Sequence, residues 1–202
     1  MKRTKRGHKT IRRRVLILCE GQTEKNYFQA IKEDPDYKQQ LLAVHPQIVV
    51  AKSPSPDQVV QEAIARARKA REEGNAYDKV WVVFDHDHHT HRRVAYEMAQ
   101  SQGFGIAFSA IAFEMWYLLH FTQSARAYES GDALVEALAG HYPGYQKARK
   151  NDFAYLKDRL TEALVNANWL KGRVGADGKH TTNCNPWTDV DHLVRELIES
   201  SG

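Results

Sequence analysis

The sequence contains few cysteines and no long apolar run. Only Cys19 and Cys184 carry thiols among its 202 residues, and no Cys-x-x-Cys pair occurs, so neither a disulfide framework nor a structural zinc site is expected. No apolar stretch reaches the length of a membrane span, and the first residues lack the apolar segment of a signal peptide. We therefore expect a folded cytoplasmic protein without a membrane partner.

Positive charge is concentrated at the start of the chain. The net charge is only +4, yet residues 1–14 contain eight Lys and Arg residues and no acid. Such an arm can neutralise phosphates, and it can equally be a solubilising tail. A second patch near Tyr145 is basic and aromatic, although a solvated helix face fits it as well. The predicted nucleic-acid-binding residues are Arg12, Arg13, Arg14, Lys147 and Lys150.

The segment Val80–His89, VWVVFDHDHH, contains the strongest chemical signal. Its apolar, mostly β-branched beginning is typical of a strand that is buried on both faces of a parallel sheet. Side chains alternate along a strand, so Asp85 and Asp87 would point the same way, about 7 Å apart. Paired carboxylates at a strand end suit Mg²⁺ or Mn²⁺. The alternative is that one aspartate ends the strand and the other caps the next turn.

A second strand also ends in an acid. Val15–Cys19 is followed by Glu20 and Gly21, and Thr23 is the predicted N-cap of the next helix. Parallel strands share one carboxyl edge, where open α/β sheets bind their ligands, so Glu20 is expected beside Asp85. A Glu-Gly pair at a strand end is common, and it gains meaning here because two strands end in acids.

Further candidate groups follow the aspartates. Glu114 lies in the apolar segment Phe113–Phe121, where it must be solvated in the first helical turn, paired, or metal-bound. A histidine cluster also follows Asp85, and neutral imidazoles can bind borderline metals, although an exposed polar loop is the simpler interpretation. The cluster comprises His86, His88, His89 and His91.

Strand and helix patterns alternate along the first part of the chain. This order predicts a three-layer α/β fold with a mostly parallel, Rossmann-like central sheet, followed by a helical C-terminal part. We expect a flexible basic arm over residues 1–10 and one domain over 11–202. Within that domain, the sheet core would span 11–122 and a helical extension 123–202.

Four segments resemble motifs of the RloB family. They are LILCEGQTEKNYF, VVFDHDHH, SAIAFEMWYLLHF and NPWTDVDHLV, which together cover most of the chain beyond the basic arm. RloB-like proteins are linked to bacterial restriction and phage-defence loci and are commonly paired with an RloA-like ATPase. Their Glu-Gly and Asp-x-Asp motifs resemble those of Toprim domains, the metal-binding module of topoisomerases, DnaG-type primases and OLD-family nucleases.

The resemblance implies roles for four acids. Glu20 would act as general acid or base or as a ligand, Asp85 and Asp87 would hold Mg²⁺ or Mn²⁺, and Glu114 would be a further family acid without a fixed role. The leading hypothesis is a metal-dependent nuclease of a defence system that cuts DNA or RNA.

Two other functions are consistent with the same residues. A non-catalytic subunit could bind nucleic acid or the ATPase and use the acids structurally. A strand-rejoining enzyme would need a tyrosine nucleophile, for which Tyr27, Tyr117 and Tyr145 exist, although the chain is short for that chemistry.

Overall fold

The computed structural model of the chain describes residues 13–38, 41, 44–85, 91–175 and 180–199. The strands are β1 (Arg13–Cys19), β2 (Val44–Val50), β3 (Lys79–Asp85) and β4 (Gly105–Ser109). The helices are α1 (Gln22–Glu33), α2 (Pro35–Lys38), α3 (Pro56–Glu72), α4 (Arg92–Ser101), α5 (Glu114–Leu119), α6 (Gly131–Ala139), α7 (Asp152–Leu156), α8 (Leu160–Val174) and α9 (Val190–Glu199). Short 3₁₀ turns cover Lys157–Arg159 and Thr181–Asn183. In this described part of the chain, no helix has the length and apolar character needed to cross a membrane.

The four strands form one parallel sheet in the order β2-β1-β3-β4. β1 and β3 are the two central strands, and Cys19 of β1 is in register with Val83 of β3. On the other side of β3, Asp85 is in register with Ser109 of β4. All four carboxyl ends therefore lie at one edge, and the chain leaves the two central strands at adjacent positions. The predicted α/β fold with a parallel sheet is confirmed.

Helices cover both faces of this sheet, which explains why the strands are apolar throughout. On one face, Ile17, Cys19 and Val83 pack against α1 and the helices of the C-terminal half. On the other face, Leu18 and Val82 pack with α3 and α4. Alternate residues of each strand thus serve different layers, and the C-terminal helical part shares its core with the sheet.

A close contact fixes the spacing of β3 and β4. A Cβ atom placed on Gly105 would lie 2.3 Å from the indole of Trp81, which no real packing allows. The indole nitrogen of Trp81 donates to the Glu196 carboxylate in α9 at 3.2 Å. Glycine at position 105 therefore lets the large side chain lie flat over the edge strand and reach the last helix.

The segment NPWTDVDHLV closes the outer side of β4. The amide of Asp189 donates to the Phe108 carbonyl at 2.7 Å, and the Thr188 and Ser109 hydroxyls lie 2.9 Å apart. Asn185 exchanges two hydrogen bonds with the backbone of Tyr128. These contacts place the end of the chain beside the carboxyl edge and cover the edge strand.

Candidate active site at the carboxyl edge of the sheet

Glu20 and Asp85 lie side by side where β1 and β3 end. The Glu20 amide donates to the Val83 carbonyl at 2.9 Å, which extends the ladder by one residue beyond β1. The Glu20 side chain then turns towards β3, where its Oε2 accepts a hydrogen bond from the Asp85 amide at 2.9 Å. Glu20 is only 8% exposed, and Asp85 is half-buried. The structure thus brings these two acids together.

Several of the predicted residues lie outside the described residues. They are Arg12, His86, Asp87, His88 and His89. Because Asp87 is one of them, its role as a metal ligand stays a prediction.

Glu24, which the sequence analysis did not select, belongs to the same edge. It occupies the first turn of α1, three positions after Gly21, and is only 5% exposed. Its carboxylate lies over Gly21, since a Cβ atom at that position would be 2.8 Å from Glu24 Oε2. Gly21 therefore leaves room for the acid to fold back over the end of β1, and the segment Glu-Gly-x-x-Glu carries this signal in the sequence.

Burial sets the charge of Glu24. Removal from water raises the pKa of this carboxyl from 4.5 to about 7, and the Glu114 carboxylate adds to the rise. The amides of Glu24 and Gly21 and the Lys147 ammonium oppose the rise by favouring the charged form. Glu24 can therefore hold or release a proton near neutral pH, as a general acid or base must.

Glu114 approaches from the opposite direction, at the first position of α5. It is only 3% exposed, so the alternative of a solvated first-turn acid does not hold. The Tyr145 hydroxyl donates to its Oε1 at 2.5 Å. Burial and this carboxylate raise the pKa of Tyr145 well above its usual range, so the hydroxyl stays protonated and remains a donor.

The turn that carries Lys147 is anchored to α1. The Ala148 amide donates to Thr23 Oγ1 at 3.1 Å, and Asn26 Nδ2 donates to the Ala148 carbonyl at 2.7 Å. Thr23 was predicted to be the N-cap of α1, which is wrong: Gly21 takes that position, and Thr23 lies within the first turn, where its hydroxyl accepts from the distant turn. Lys147 is exposed and lies close enough to lower the pKa of Glu24.

Two of the other predicted cations, Arg13 and Arg14, lie far from the acids. Arg13 and Arg14 begin β1, so the length of the strand, about 20 Å, separates them from Glu20. Arg13 pairs with Glu196 at 3.5 Å, and the guanidinium of Arg14 lies over the Tyr77 ring at 5.0 Å. Lys150 is exposed near the Lys147 turn. A nucleic-acid contact through these residues remains a prediction.

The collected groups are hard oxygen donors. Glu20, Asp85, Glu24 and Glu114 come from four different elements, and three of them are buried. Carboxylates of this kind are ligands for Mg²⁺ or Mn²⁺ rather than for soft metals. Within the described residues, no three His, Cys, Asp or Glu side chains are positioned to hold one ion together. A complete set of ligands would therefore need a further donor.

Comparison with known families identifies the chain. A model of the family described as RloB-like protein matches residues 15–197. The chain belongs to the RloB-like family. Comparisons with curated proteins and with solved structures found no match. Membership of the RloB-like family suggests a link to a phage-defence or restriction system.

The extent of the match separates the candidate residues. All the acids of the sheet edge, from Glu20 to Glu114, and the turn with Lys147 lie inside the RloB-like region. Arg13 and Arg14 precede it. The acid cluster is thus part of the family region, whereas the basic arm is not.

Proposed function

We propose that this RloB-like protein is a divalent-metal-dependent nuclease that hydrolyses phosphodiester bonds of DNA or RNA in a phage-defence system. The observation that carries the proposal is the placement of two pairs of acids at one sheet edge: Glu20 accepts from the amide of Asp85, and Glu24 lies near enough to Glu114 for their charges to interact. Several carboxylates in a poorly solvated place favour a bound cation, because a divalent ion reduces the repulsion between them.

The donor set fits Mg²⁺ or Mn²⁺. Glu20 and Asp85 would hold the ion together with Asp87, which follows Asp85 by two positions in the sequence. A bound divalent ion polarises the phosphoryl oxygen and lowers the pKa of a coordinated water.

The protein's own groups supply the remaining functions. Glu24, with a pKa of about 7, would accept the proton of the attacking water and is close to half-ionised at neutral pH. The exposed ammonium of Lys147 would bind a non-bridging phosphate oxygen beside it. Tyr145 would hold the Glu114 carboxylate in place through its 2.5 Å hydrogen bond.

A cleavage assay tests the proposal. The purified protein is incubated with Mn²⁺ and labelled single- and double-stranded DNA and RNA, with and without an RloA-like ATPase. We expect cleavage that needs Mn²⁺ and is lost in the double variant Asp85→Asn with Asp87→Asn. The matched control is Glu136→Gln, which removes an exposed carboxylate of α6 and should cleave normally. Cleavage that survives in the double variant would remove the proposal.

A second candidate is a non-catalytic subunit that binds nucleic acid or the ATPase. It is favoured by the finding that no three side chains of the described ranges are arranged to hold an ion, and by the Lys147 charge beside Glu24. Calorimetric titration with Mn²⁺ separates the two functions. Binding that is lost in Asp85→Asn favours the nuclease, and the absence of binding in the wild-type protein favours the subunit.

A further inference from the structure

A groove lies between the end of α5 and the start of α8, at the end of α5 opposite to Glu114. It encloses about 620 Å³ and is lined by Phe121, Arg159, Val165 and Asn166, among others. Tyr155, whose ring is 6.2 Å from that of Phe121, lies at its side and is 52% exposed. Exposure of large apolar side chains at one place marks a binding surface more often than a scattered distribution does. We call this region the Tyr155 surface.

The rings of the Tyr155 surface are held in fixed orientations. Tyr155 stacks on the buried Tyr142 at 4.2 Å with an interplanar angle of 12°. Phe121 stacks on His141 at 5.9 Å with an angle of 19°. The stack on the buried Tyr142 thus fixes the ring of Tyr155, and the opposite face of this ring is exposed to solvent. Rigid, exposed ring faces of this kind are the platforms on which unpaired bases stack.

Cationic side chains lie near these rings. Residues 141–159 contain five Lys and Arg residues and two Asp; of the cations, Lys157 is paired with Asp34 and Asp36, whereas Lys147, Arg149 and Lys150 are exposed. The guanidinium of Arg159 lies over the Phe121 ring, 5.3 Å from its centroid, and is also 3.3 Å from the carboxylate of Glu162, which lines the groove. A surface that combines ring faces with cations complements a base-and-phosphate chain better than it complements an apolar protein segment.

The Tyr155 surface is continuous with the acid cluster. The ring of Tyr142, which supports Tyr155, lies 5.7 Å from the ring of Tyr145. The Tyr145 hydroxyl in turn donates to Glu114. Three tyrosines therefore form a row from the groove to the carboxylates, and Lys147 follows Tyr145 along the chain. A strand with a base on Tyr155 would therefore lie on the same side of the protein as Lys147 and the acids.

We propose that the Tyr155 surface binds unpaired bases, so that the substrate is a nucleic acid with a single-stranded segment next to the cleaved bond. This inference rests on the proposed nuclease function for the position of the cut, whereas binding itself does not require cleavage. The surface recognises the π-face of a base, and it therefore needs no particular sequence.

Binding is measured by fluorescence anisotropy, in EDTA and on an Asp85→Asn background, so that cleavage does not interfere. The probes are a labelled oligothymidine of about 12 nucleotides, an abasic strand of the same length and a duplex. Tyr155→Ala should weaken binding of the oligothymidine by about 5- to 100-fold, as expected for the loss of one stacked base. Tyr155→Trp should restore it, and the abasic strand should bind both proteins equally.

Two exposed residues on the other face of the sheet serve as controls. Val94→Ala removes an exposed apolar side chain of α4. Arg68→Ala breaks an exposed ion pair of α3, just as Arg159→Ala breaks the exposed pair between the 3₁₀ turn and Glu162 of α8. The controls should bind normally, whereas Arg159→Ala should weaken oligothymidine binding. Thermal unfolding of each variant identifies any that fail to fold, and for those Tyr155→Leu, which keeps apolar contact without a ring, replaces the alanine.

The outcomes of the two proposals are distinguishable. The inference is overturned if Tyr155→Ala leaves the affinity for oligothymidine unchanged. It is also overturned if this variant loses as much affinity for the abasic strand or for the duplex as for oligothymidine, even when cleavage is observed. If Tyr155→Ala instead weakens only the binding of an RloA-like ATPase, the surface binds a protein and the inference also fails. If stacking-dependent binding is found but no Mn²⁺-dependent cleavage, the inference stands and the nuclease proposal fails.

Discussion

Glu24 makes the folded protein hold a proton that the unfolded chain releases. Burial raises the pKa of this carboxyl from 4.5 to about 7. Between these two values the folded state binds more protons than the unfolded state, so the free energy of unfolding falls as the pH rises. The contribution of Glu24 to stability is therefore fully present below its unfolded pKa and is lost as the pH passes through its folded pKa.

The variant Glu24→Gln tests this directly. The difference between pKa values of 4.5 and about 7 corresponds to about 3 kcal/mol of unfolding free energy, because one pKa unit is worth about 1.4 kcal/mol. Glutamine keeps an acceptor at the third helical position, so it preserves the capping geometry of α1. We expect the variant to match the wild-type protein at about pH 4 and to exceed its unfolding free energy by up to about 3 kcal/mol at about pH 8.

Urea unfolding of both proteins at several pH values measures the difference. Other groups with raised carboxyl pKa values, such as Asp152, affect both proteins alike and cancel in the comparison. The exposed Glu136 provides the control variant Glu136→Gln, whose difference from the wild-type protein should stay small across the range. A difference between wild type and Glu24→Gln that is constant from about pH 4 to about pH 8 would show that burial does not hold the proton.

Two further variants test the packing around the site. Gly105→Ala should lower the unfolding free energy by about 1–3 kcal/mol in urea titration, because its Cβ would collide with the Trp81 indole; unchanged stability would contradict the close contact. Tyr145→Phe should lower the unfolding free energy by about 2 kcal/mol, since the Glu114 carboxylate loses a hydrogen bond inside the protein. Tyr155→Phe changes an exposed ring and should leave the unfolding free energy unchanged. Equal effects of the two variants would refute this role of Tyr145.

The strands and the shared edge could be predicted from the sequence because they depend on local patterns. Continuous apolar runs are sufficient to identify buried parallel strands, and the runs that begin at Val15 and Val80 lie within β1 and β3. The placement of Glu20 beside Asp85 follows from the geometry of parallel strands alone, since neighbouring strands end at one edge.

The remaining site residues could not be predicted because distant segments place them. An acid in the first turn of a helix is ordinarily a solvated cap, and only the approach of α5 and of the turn near residue 147 makes Glu24 a buried group. Thr23 is likewise a good N-cap in isolation, but its hydroxyl bonds to Ala148, 125 residues further along the chain. Such contacts leave no periodic trace in the sequence.

The hydrogen bond from the Asp85 amide to Glu20 gives one side chain two duties. Glu20 contributes negative charge, and it also pins the main chain at the point where β3 gives way to the segment that carries Asp87. Truncation to alanine would remove both duties at once, and an inactive alanine variant would say little about chemistry. Glutamine retains the oxygen that accepts from Asp85 while it removes the charge, so the contrast between the two replacements separates scaffolding from reactivity at this position.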